Sequence, residues 1–408
     1  MKFTTALINL ALLLTPALVL ADAPIKNDGV SAADVVLDKY IVKFMDGADG
    51  NKKKKQRDDI DKKAKTKKKN GVTDTFDIPG LSGYVVEVAP ADLPDILKSD
   101  VVEYVEKDTY VNHTAVAAPV LDKRAFTTQS EAPWGLGRIS HRGTGSSDYY
   151  YDKTAGSGVR VYVIDTGILT SHSEFGTRAV WGANFISGSP NTDEYGHGTH
   201  VAGTIGGKTY GVAKKCTLVA VKILDKTGSG TMSGLLAGIN WAVSDAKSKG
   251  VAAKSVINMS VGGSYTASVN AGVQSASNAG LTVVVSAGNS NADASGYSPA
   301  SSPSAITVAA VEGTDYRAWF SNYGTLVDIF APGVSVLSSY IGSNSATVYM
   351  SGTSMASPHV AGLAAYFIGK EGLTGAAVTN RMIGAATTGT VGNPNGSPSR
   401  VAYNANGL

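Results

Sequence analysis

Residues 158–165 read GVRVYVID, a nearly unbroken apolar and β-branched run that ends at an aspartate. Such a run is typical of a parallel strand buried on both faces. Because sites in open α/β sheets lie at the carboxyl ends of strands, Asp165 is predicted to lie in one. Two helical runs carry further reactive groups at their starts: residues 196–207 (GHGTHVAGTIGG) contain His197, and residues 352–370 (GTSMASPHVAGLAAYFIGK) contain Ser354.

Nucleophilic catalysis by serine needs these three residue types. A serine hydroxyl reacts when an imidazole takes its proton, and a carboxylate holds that imidazole in one tautomer. Taken singly, each segment is ambiguous: Asp165-Thr166-Gly167 also matches an aspartic protease half-site, although we find no second copy, and His197 could be a helix cap. The order Asp, His, Ser is that of the subtilisins, and the chain resembles a subtilisin-like serine protease.

The resemblance implies a three-layer α/β domain with a mostly parallel sheet. Ser354 is expected at a helix N-terminus, whose amides favour a developing oxyanion, with Pro358 in the first turn of that helix. Residues 281–286 (LTVVVS) run into Ala287-Gly288-Asn289, and the family uses this asparagine as an oxyanion donor. The alternative for Asn289 is a turn residue in the left-handed conformation.

The resemblance also implies two segments that bind an extended substrate between them. One contains Gly228, Ser229 and Gly230, and the other contains Ser260, Val261 and Gly262. Read without the resemblance, both are ordinary Gly/Ser loops. The wall of the pocket before the scissile bond is expected from residues 260–262 and from Ser286, Ala287 and Gly288. None of these residues is charged, so the sequence favours an apolar or aromatic side chain there.

The first 124 residues precede this domain as separate units. Residues 1–21 have a lysine, an apolar run and a small-residue end, which predicts a signal peptide, a secreted protein and no membrane span. Residues 22–124 alternate strand and helix signals as a small βαββαβ, ferredoxin-like α+β unit, and resemble the family's inhibitory propeptide. The unit ends at Lys123-Arg124, and cleavage there, by the enzyme itself or by another protease, would leave a mature domain of residues 125–408.

Charge and cysteine content exclude few functions. The net charge of +3 over 408 residues gives no reason to expect nucleic acid as a partner. The lysine-rich run at residues 52–69 could be a nucleic-acid or heparin patch, but a solvated helix in a discarded segment is the preferred interpretation. The chain has one cysteine, Cys216, which excludes an intrachain disulfide and is expected to be a buried, inert thiol.

The resemblance further implies a structural calcium site made by the carbonyls of Pro303 and Ala305 with the carboxylate of Asp328. Hard oxygen ligands suit calcium, although the residues by themselves suggest only an exposed turn and an aspartate at a strand end. No catalytic metal is expected.

The sequence therefore predicts a secreted, monomeric serine endopeptidase, similar to the proteinase K-like and cuticle-degrading enzymes of fungi. It would act on proteins and peptides through an acyl-enzyme and be inhibited by its own propeptide. Two other classes are disfavoured. A pseudoprotease used for binding would usually lose a member of the triad, and an α/β-hydrolase esterase needs a nucleophile elbow and the order Ser, Asp, His.

Overall fold

The computed structural model describes residues 22–113 and 132–406 of the chain. The signal peptide predicted at residues 1–21 and the junction predicted at Lys123-Arg124 lie outside these residues. The two described ranges fold as an N-terminal domain and a larger domain, which the sequence predicts to be the catalytic domain.

The N-terminal domain has the predicted βαββαβ order. Its elements are β1 (Val35–Phe44), α1 (Gly50–Thr66), β2 (Gly71–Ile78), β3 (Leu81–Glu87), α2 (Leu93–Leu97) and β4 (Val102–His113). The strands pair antiparallel in the order β4-β1-β3-β2. The lysine-rich run forms α1, in which Ile60 and Ala64 are the buried residues that face the sheet, so most of its lysines are left to solvent.

The catalytic domain is built on a nine-stranded sheet. The N-terminal helix is α3 (Trp134–Ser140), and the remaining helices are α4 (His197–Gly206), α5 (Met232–Ser248), α6 (Ala267–Asn278), α7 (Thr353–Glu371) and α8 (Ala376–Ala385). The sheet strands are β5 (Arg160–Asp165), β6 (Ala179–Asn184), β7 (Thr217–Lys222), β9 (Ser255–Met259), β11 (Thr282–Ser286), β13 (Ile306–Val311), β14 (Ile329–Pro332), β17 (Thr387–Thr388) and β18 (Arg400–Val401).

The sheet order is β17-β18-β14-β13-β11-β9-β5-β7-β6, and every neighbouring pair except β17 with β18 is parallel. Shorter strands lie outside it: β8 (Ser229–Thr231), β10 (Val261–Ser264), β12 (Tyr297–Ser298), β15 (Val336–Ser339) and β16 (Thr347–Met350). The predicted mostly parallel, three-layer α/β domain is confirmed.

Two apolar cores cover the two faces of this sheet. One core contains residues of α4, α7 and α8, and the other contains residues of α5 and α6. The second core continues into the N-terminal domain, since it includes Ile41, Phe76, Leu81 and Val111. The N-terminal sheet therefore packs one face on α5 and α6, while α1 and α2 cover its other face.

Close packing of α4 depends on its small residues. A Cβ atom on Gly198 would lie 2.1 Å from the Gly167 carbonyl oxygen, which belongs to the loop after β5. Only glycine permits that approach, and it brings the start of α4 against the carboxyl end of β5.

Candidate active site

Asp165 and His197 meet at the predicted edge of the sheet. Asp165 is the last residue of β5 and His197 is the first of α4, and both are fully buried. His197 Nδ1 lies 2.7 Å from Asp165 Oδ1 and 2.9 Å from Oδ2. Because a carboxylate only accepts, Nδ1 is the protonated nitrogen of the neutral ring and Nε2 is the basic one.

Asp193 joins the two segments, and the sequence reading missed it. Its Oδ1 accepts from Thr166 Oγ1 at 2.8 Å and from Gly196 N at 2.8 Å, while Oδ2 accepts from Thr199 Oγ1 at 2.6 Å. A buried carboxylate with this many donors fixes the β5 loop relative to the start of α4. Its one sequence signal is its position four residues before His197.

A buried lysine lies beside the same edge. Lys222 ends β7 in register with Asp165, and its Nζ donates at 2.8 Å to the carbonyls of Thr166 and Leu224. Burial lowers the pKa of Lys222, although nearby Asp193 and Glu194 oppose the shift. The lysine secures the loop after Asp165, and only its place at the end of an apolar strand could have suggested it.

Ser354 lies at the predicted helix start, as the second residue of α7, and is fully buried. Its Oγ donates to the Ser260 carbonyl at 3.0 Å. The expected place of Pro358 is wrong. Because α7 begins at Thr353, Pro358 is its sixth residue and lies in the second turn, where the missing N–H removes a helical hydrogen bond.

Asn289 follows β11 and is turned toward α7. Its Oδ1 accepts from Thr353 N and from Thr353 Oγ1, both at 2.9 Å. Because Thr353 holds Oδ1 on the side of α7, Asn289 Nδ2 points away from Thr353. In this loop Gly288 and Asn291 have positive φ, and the turn is bonded by Asn322, whose Oδ1 accepts from Ser290 N at 2.9 Å. Asn289 therefore does not adopt the left-handed turn conformation that was its alternative role.

The two Gly/Ser segments lie on either side of the end of β4. On one side Tyr110, Val111 and Asn112 pair antiparallel with Thr231, Gly230 and Ser229 of β8. On the other side Asn112 and His113 pair with Gly262 and Val261 of β10. The N-terminal domain thus places its last strand between the segments predicted to bind substrate. Gly228 is outside this pairing and occupies a turn at φ +77°.

A pocket of about 300 Å³ opens beside β4. Gly262, Ser286, Ala287, Gly288 and Asn289 are among its lining residues, as is Tyr110 from the N-terminal domain. Ser260 and Val261, which were expected in the wall, are fully buried and do not line the pocket. Ser260 lies between β9, which belongs to the central sheet, and β10, which lies outside it. Its side chain points toward α7.

The other histidines of residues 196–207 and 352–370 bind main-chain carbonyls in the interior of the protein. His200 is fully buried, lies 3.0 Å from the Val336 carbonyl through Nε2, and has its pKa lowered by burial to about 3. His359 Nδ1 lies 2.8 Å from the Met355 carbonyl, and burial lowers its pKa to about 4. Both rings are neutral near pH 7. Cys216 is buried as expected, and burial raises its pKa to about 12, which leaves an unreactive thiol.

Of the residues predicted to hold calcium, Asp328 is bonded to the chain two residues after Ala305. Asp328 N donates to the Thr307 carbonyl, and Thr307 N donates to Asp328 Oδ2 at 2.8 Å, so this carboxylate lies beside the chain just after Ala305. Burial raises the pKa of Asp328. Among the residues that the structure describes, no group of three or more histidine, cysteine or acidic side chains could hold a metal. A site here would therefore depend on main-chain carbonyls with this one carboxylate.

Comparison with known proteins identifies the class. The model of the Subtilase family matches residues 156–403, and that of Peptidase inhibitor I9 matches residues 39–113. The chain is 50% identical to Subtilisin-like protease 2 of Pseudogymnoascus destructans over all of both chains. It is 44% identical to the Cuticle-degrading protease of Metarhizium anisopliae over 91% of each. A solved cold-adapted subtilisin-like serine proteinase matches with TM-score 0.63 and 42% identity, over 67% of this chain and 98% of that one.

The chain belongs to the subtilase family, and it is a serine endopeptidase that carries an I9 inhibitor domain as its own propeptide. Within residues 22–113 and 132–406, no helix is both long and apolar enough to cross a membrane.

Proposed function

We propose that this protease hydrolyses proteins through a triad of Asp165, His197 and Ser354, with Asn289 as an oxyanion donor. The observation that carries the proposal is the position of β4. His113 pairs with Val261, and the carbonyl of the adjacent residue, Ser260, accepts the hydrogen bond from Ser354 Oγ. An extended chain in the place of β4 would therefore lead its next peptide bonds toward the serine.

In the proposed reaction His197 Nε2 takes the proton from Ser354 Oγ as Oγ attacks the carbonyl carbon of the substrate. The developing oxyanion accepts from Asn289 Nδ2, whose orientation is fixed by the bonds of Oδ1 to Thr353. The imidazolium then gives its proton to the leaving amine, and the C–N bond breaks. Water attacks the acyl-enzyme with His197 again as base, which releases the acid and restores Ser354.

The substrate class follows from the cleft. Backbone pairing with Ser229, Gly230, Val261 and Gly262 accepts any extended peptide, which supports broad specificity. The catalytic-domain residues that line the pocket carry no charge, which supports an apolar or aromatic side chain before the scissile bond. These residues are glycine, alanine, serine, asparagine and tyrosine.

We also propose a division of the chain into three segments and a structural calcium site. Residues 1–21 serve as a secretion signal, residues 22–124 as an inhibitory and folding-assisting propeptide, and residues 125–408 as the mature, monomeric and extracellular enzyme. The Ala305 and Pro303 carbonyls with Asp328 fit a structural calcium ion, because all three groups are hard oxygen donors. Such an ion would stabilise the fold and take no part in the chemistry.

The secreted protein should digest casein, and a sulfonyl fluoride that reacts with active serines should stop it. A pseudoprotease would leave casein intact. An esterase would cleave small esters and leave casein unchanged, so the same pair of substrates separates the three classes.

A further inference from the structure

Helix α7 contains a defect directly at the predicted nucleophile. In an α-helix the N–H of residue 358 would donate to the carbonyl of residue 354, but Pro358 has no N–H. The carbonyl that loses its donor is therefore that of Ser354. Both residues are buried, where a main-chain carbonyl without a partner is costly.

Ser260 supplies the missing donor. Its Oγ donates to the Ser354 carbonyl at 2.9 Å, and in return Ser354 Oγ donates to the Ser260 carbonyl at 3.0 Å. Two hydrogen bonds therefore join the helix start to the junction of β9 and β10. One of them holds the main chain of Ser354, and the other holds its side chain.

The side-chain amide of Asn258 orients the Ser260 hydroxyl. Asn258 Nδ2 donates to Ser260 Oγ at 3.0 Å, and Ser357 Oγ donates to Asn258 Oδ1 at 2.8 Å. Because Ser260 Oγ accepts from Asn258, its own proton is directed to the Ser354 carbonyl. Asn258, Ser260, Ser354 and Ser357 are all fully buried, so water does not compete with these bonds.

We propose that Ser260 is a positioning residue for Ser354, acting through its hydroxyl with Asn258 behind it. The inference rests on the proposed role of Ser354 as nucleophile. The Ser260 hydroxyl replaces the hydrogen bond that Pro358 removes, and so fixes where the main chain of Ser354 places Oγ. A small displacement of a reacting atom has a large effect on rate, because the reaction needs a near-attack geometry.

The test is a double-mutant cycle of Ser260→Ala and Pro358→Ala. Ser260→Ala deletes the hydroxyl and keeps the carbonyl, so pairing with substrate and KM should be nearly unchanged. We expect kcat to fall about tenfold, the size of one buried hydrogen bond. Pro358→Ala restores an N–H for the Ser354 carbonyl. In that background Ser260→Ala should change kcat by less than about twofold.

Ser255→Ala is the matched control. Ser255 is also fully buried, lies at the other end of β9, and donates to the Val251 carbonyl at 2.9 Å. This variant should lose stability and keep kcat per titrated active site. If Ser260→Ala behaves like the control, or if its loss is the same with and without Pro358, the proposal is wrong.

Two further measurements keep the outcomes distinct. Ser354→Ala should abolish turnover and labelling by a sulfonyl fluoride; if it does not, the nucleophile assignment fails together with this proposal. If Ser354→Ala is inactive while Ser260→Ala keeps full kcat, only the positioning role fails. Should Ser260→Ala not fold, Ser260→Cys preserves the size with a weaker donor, and wild-type kcat in that variant would overturn the proposal.

Discussion

The N-terminal domain and the catalytic domain differ in the polar contacts that surround their functional surfaces. In the N-terminal domain α1 carries exposed ion pairs, such as Lys54 with Asp58 at 2.5 Å and Lys65 with Asp61 at 2.7 Å, and each contributes little. In the catalytic domain fully buried polar groups such as Lys222 and Asn258 bind main chain and side chains near the predicted site. Loss of an exposed pair in the first domain should therefore change little, and loss of a buried polar contact next to the predicted site in the second should alter rate.

Docking of the N-terminal domain depends on two carboxylates of β4. Glu106 accepts from Ala267 N at 2.7 Å and Ser268 N at 2.8 Å, at the start of α6. Asp108 accepts from Ser233 N at 2.9 Å, at the start of α5, and burial raises the pKa of Asp108. These bonds satisfy helix N-terminal amides that would otherwise be exposed, so they act only when the two domains are together.

The largest effect on kcat is expected from substitution of the residues proposed to react with substrate. Ser354→Ala and His197→Ala should each lower kcat by about 10⁶-fold, and the double variant should be scarcely worse, because the residues act as a unit. The catalytic domain would be folded with the N-terminal domain supplied separately, and peptide hydrolysis measured. Losses that multiply would contradict a shared proton transfer. His172→Gln, at a buried histidine bonded to the Ala346 carbonyl, should keep its activity.

Asn289→Ala should lower kcat by about 10²- to 10³-fold with little change in KM, because its bond to the oxyanion strengthens only as charge develops. That magnitude is the one measured for the corresponding asparagine of a subtilisin. Asn291→Ala is the matched control, since Asn291 holds the left-handed turn position nearby at φ +48°. It should lose stability and keep kcat. Equal behaviour of the two variants would remove the catalytic role of Asn289.

Calcium should stabilise the catalytic domain and leave the stability of the N-terminal domain unchanged. At 100 times its Kd the ion would add about 2.7 kcal/mol to the free energy of unfolding, and Asp328→Asn should abolish most of this. Removal of metal with EDTA should lower Tm more than the initial rate, as followed by calorimetry and peptide hydrolysis. Glu312→Gln, at an exposed carboxylate, should respond to calcium as the wild type does. An unchanged Tm after complete removal of metal would exclude the site.

We expect the smallest effect from a change at the docking surface, where Glu106 and Asp108 bind the starts of α6 and α5. Glu106→Ala in the separate N-terminal domain should weaken inhibition of the mature enzyme by about tenfold to a hundredfold, because two amides of α6 lose their acceptor. Lys54→Gln, which removes an exposed ion pair, should leave the inhibition constant nearly unchanged. A larger effect of Lys54 than of Glu106 would reverse the proposed division between surface and interface.

Local patterns located several of the strands and helices, and the reactive residues next to them. The apolar run before Asp165 and the helical run after Ser354 each predicted an element and the place of a reactive group. Asp193, Lys222 and the Ser260 hydroxyl were not predicted, because each makes at least one bond to a segment distant in sequence: Asp193 bonds Thr166, 27 positions away, and Ser260 bonds Ser354, 94 positions away. Pro358 was misplaced because the first residue of α7 could not be read from the sequence.

The pairing of β4 also bears on when the enzyme becomes active. While the two domains are one chain, β4 is presented to β8 and β10 at the effective concentration of a tethered segment, which is on the order of millimolar. Cutting the connection does not remove β4 from the cleft; it turns a tethered occupant into a dissociable one. Occupancy then depends on total protein concentration. Dilution into the surroundings would release activity from the same molecules that remain inhibited where they are concentrated.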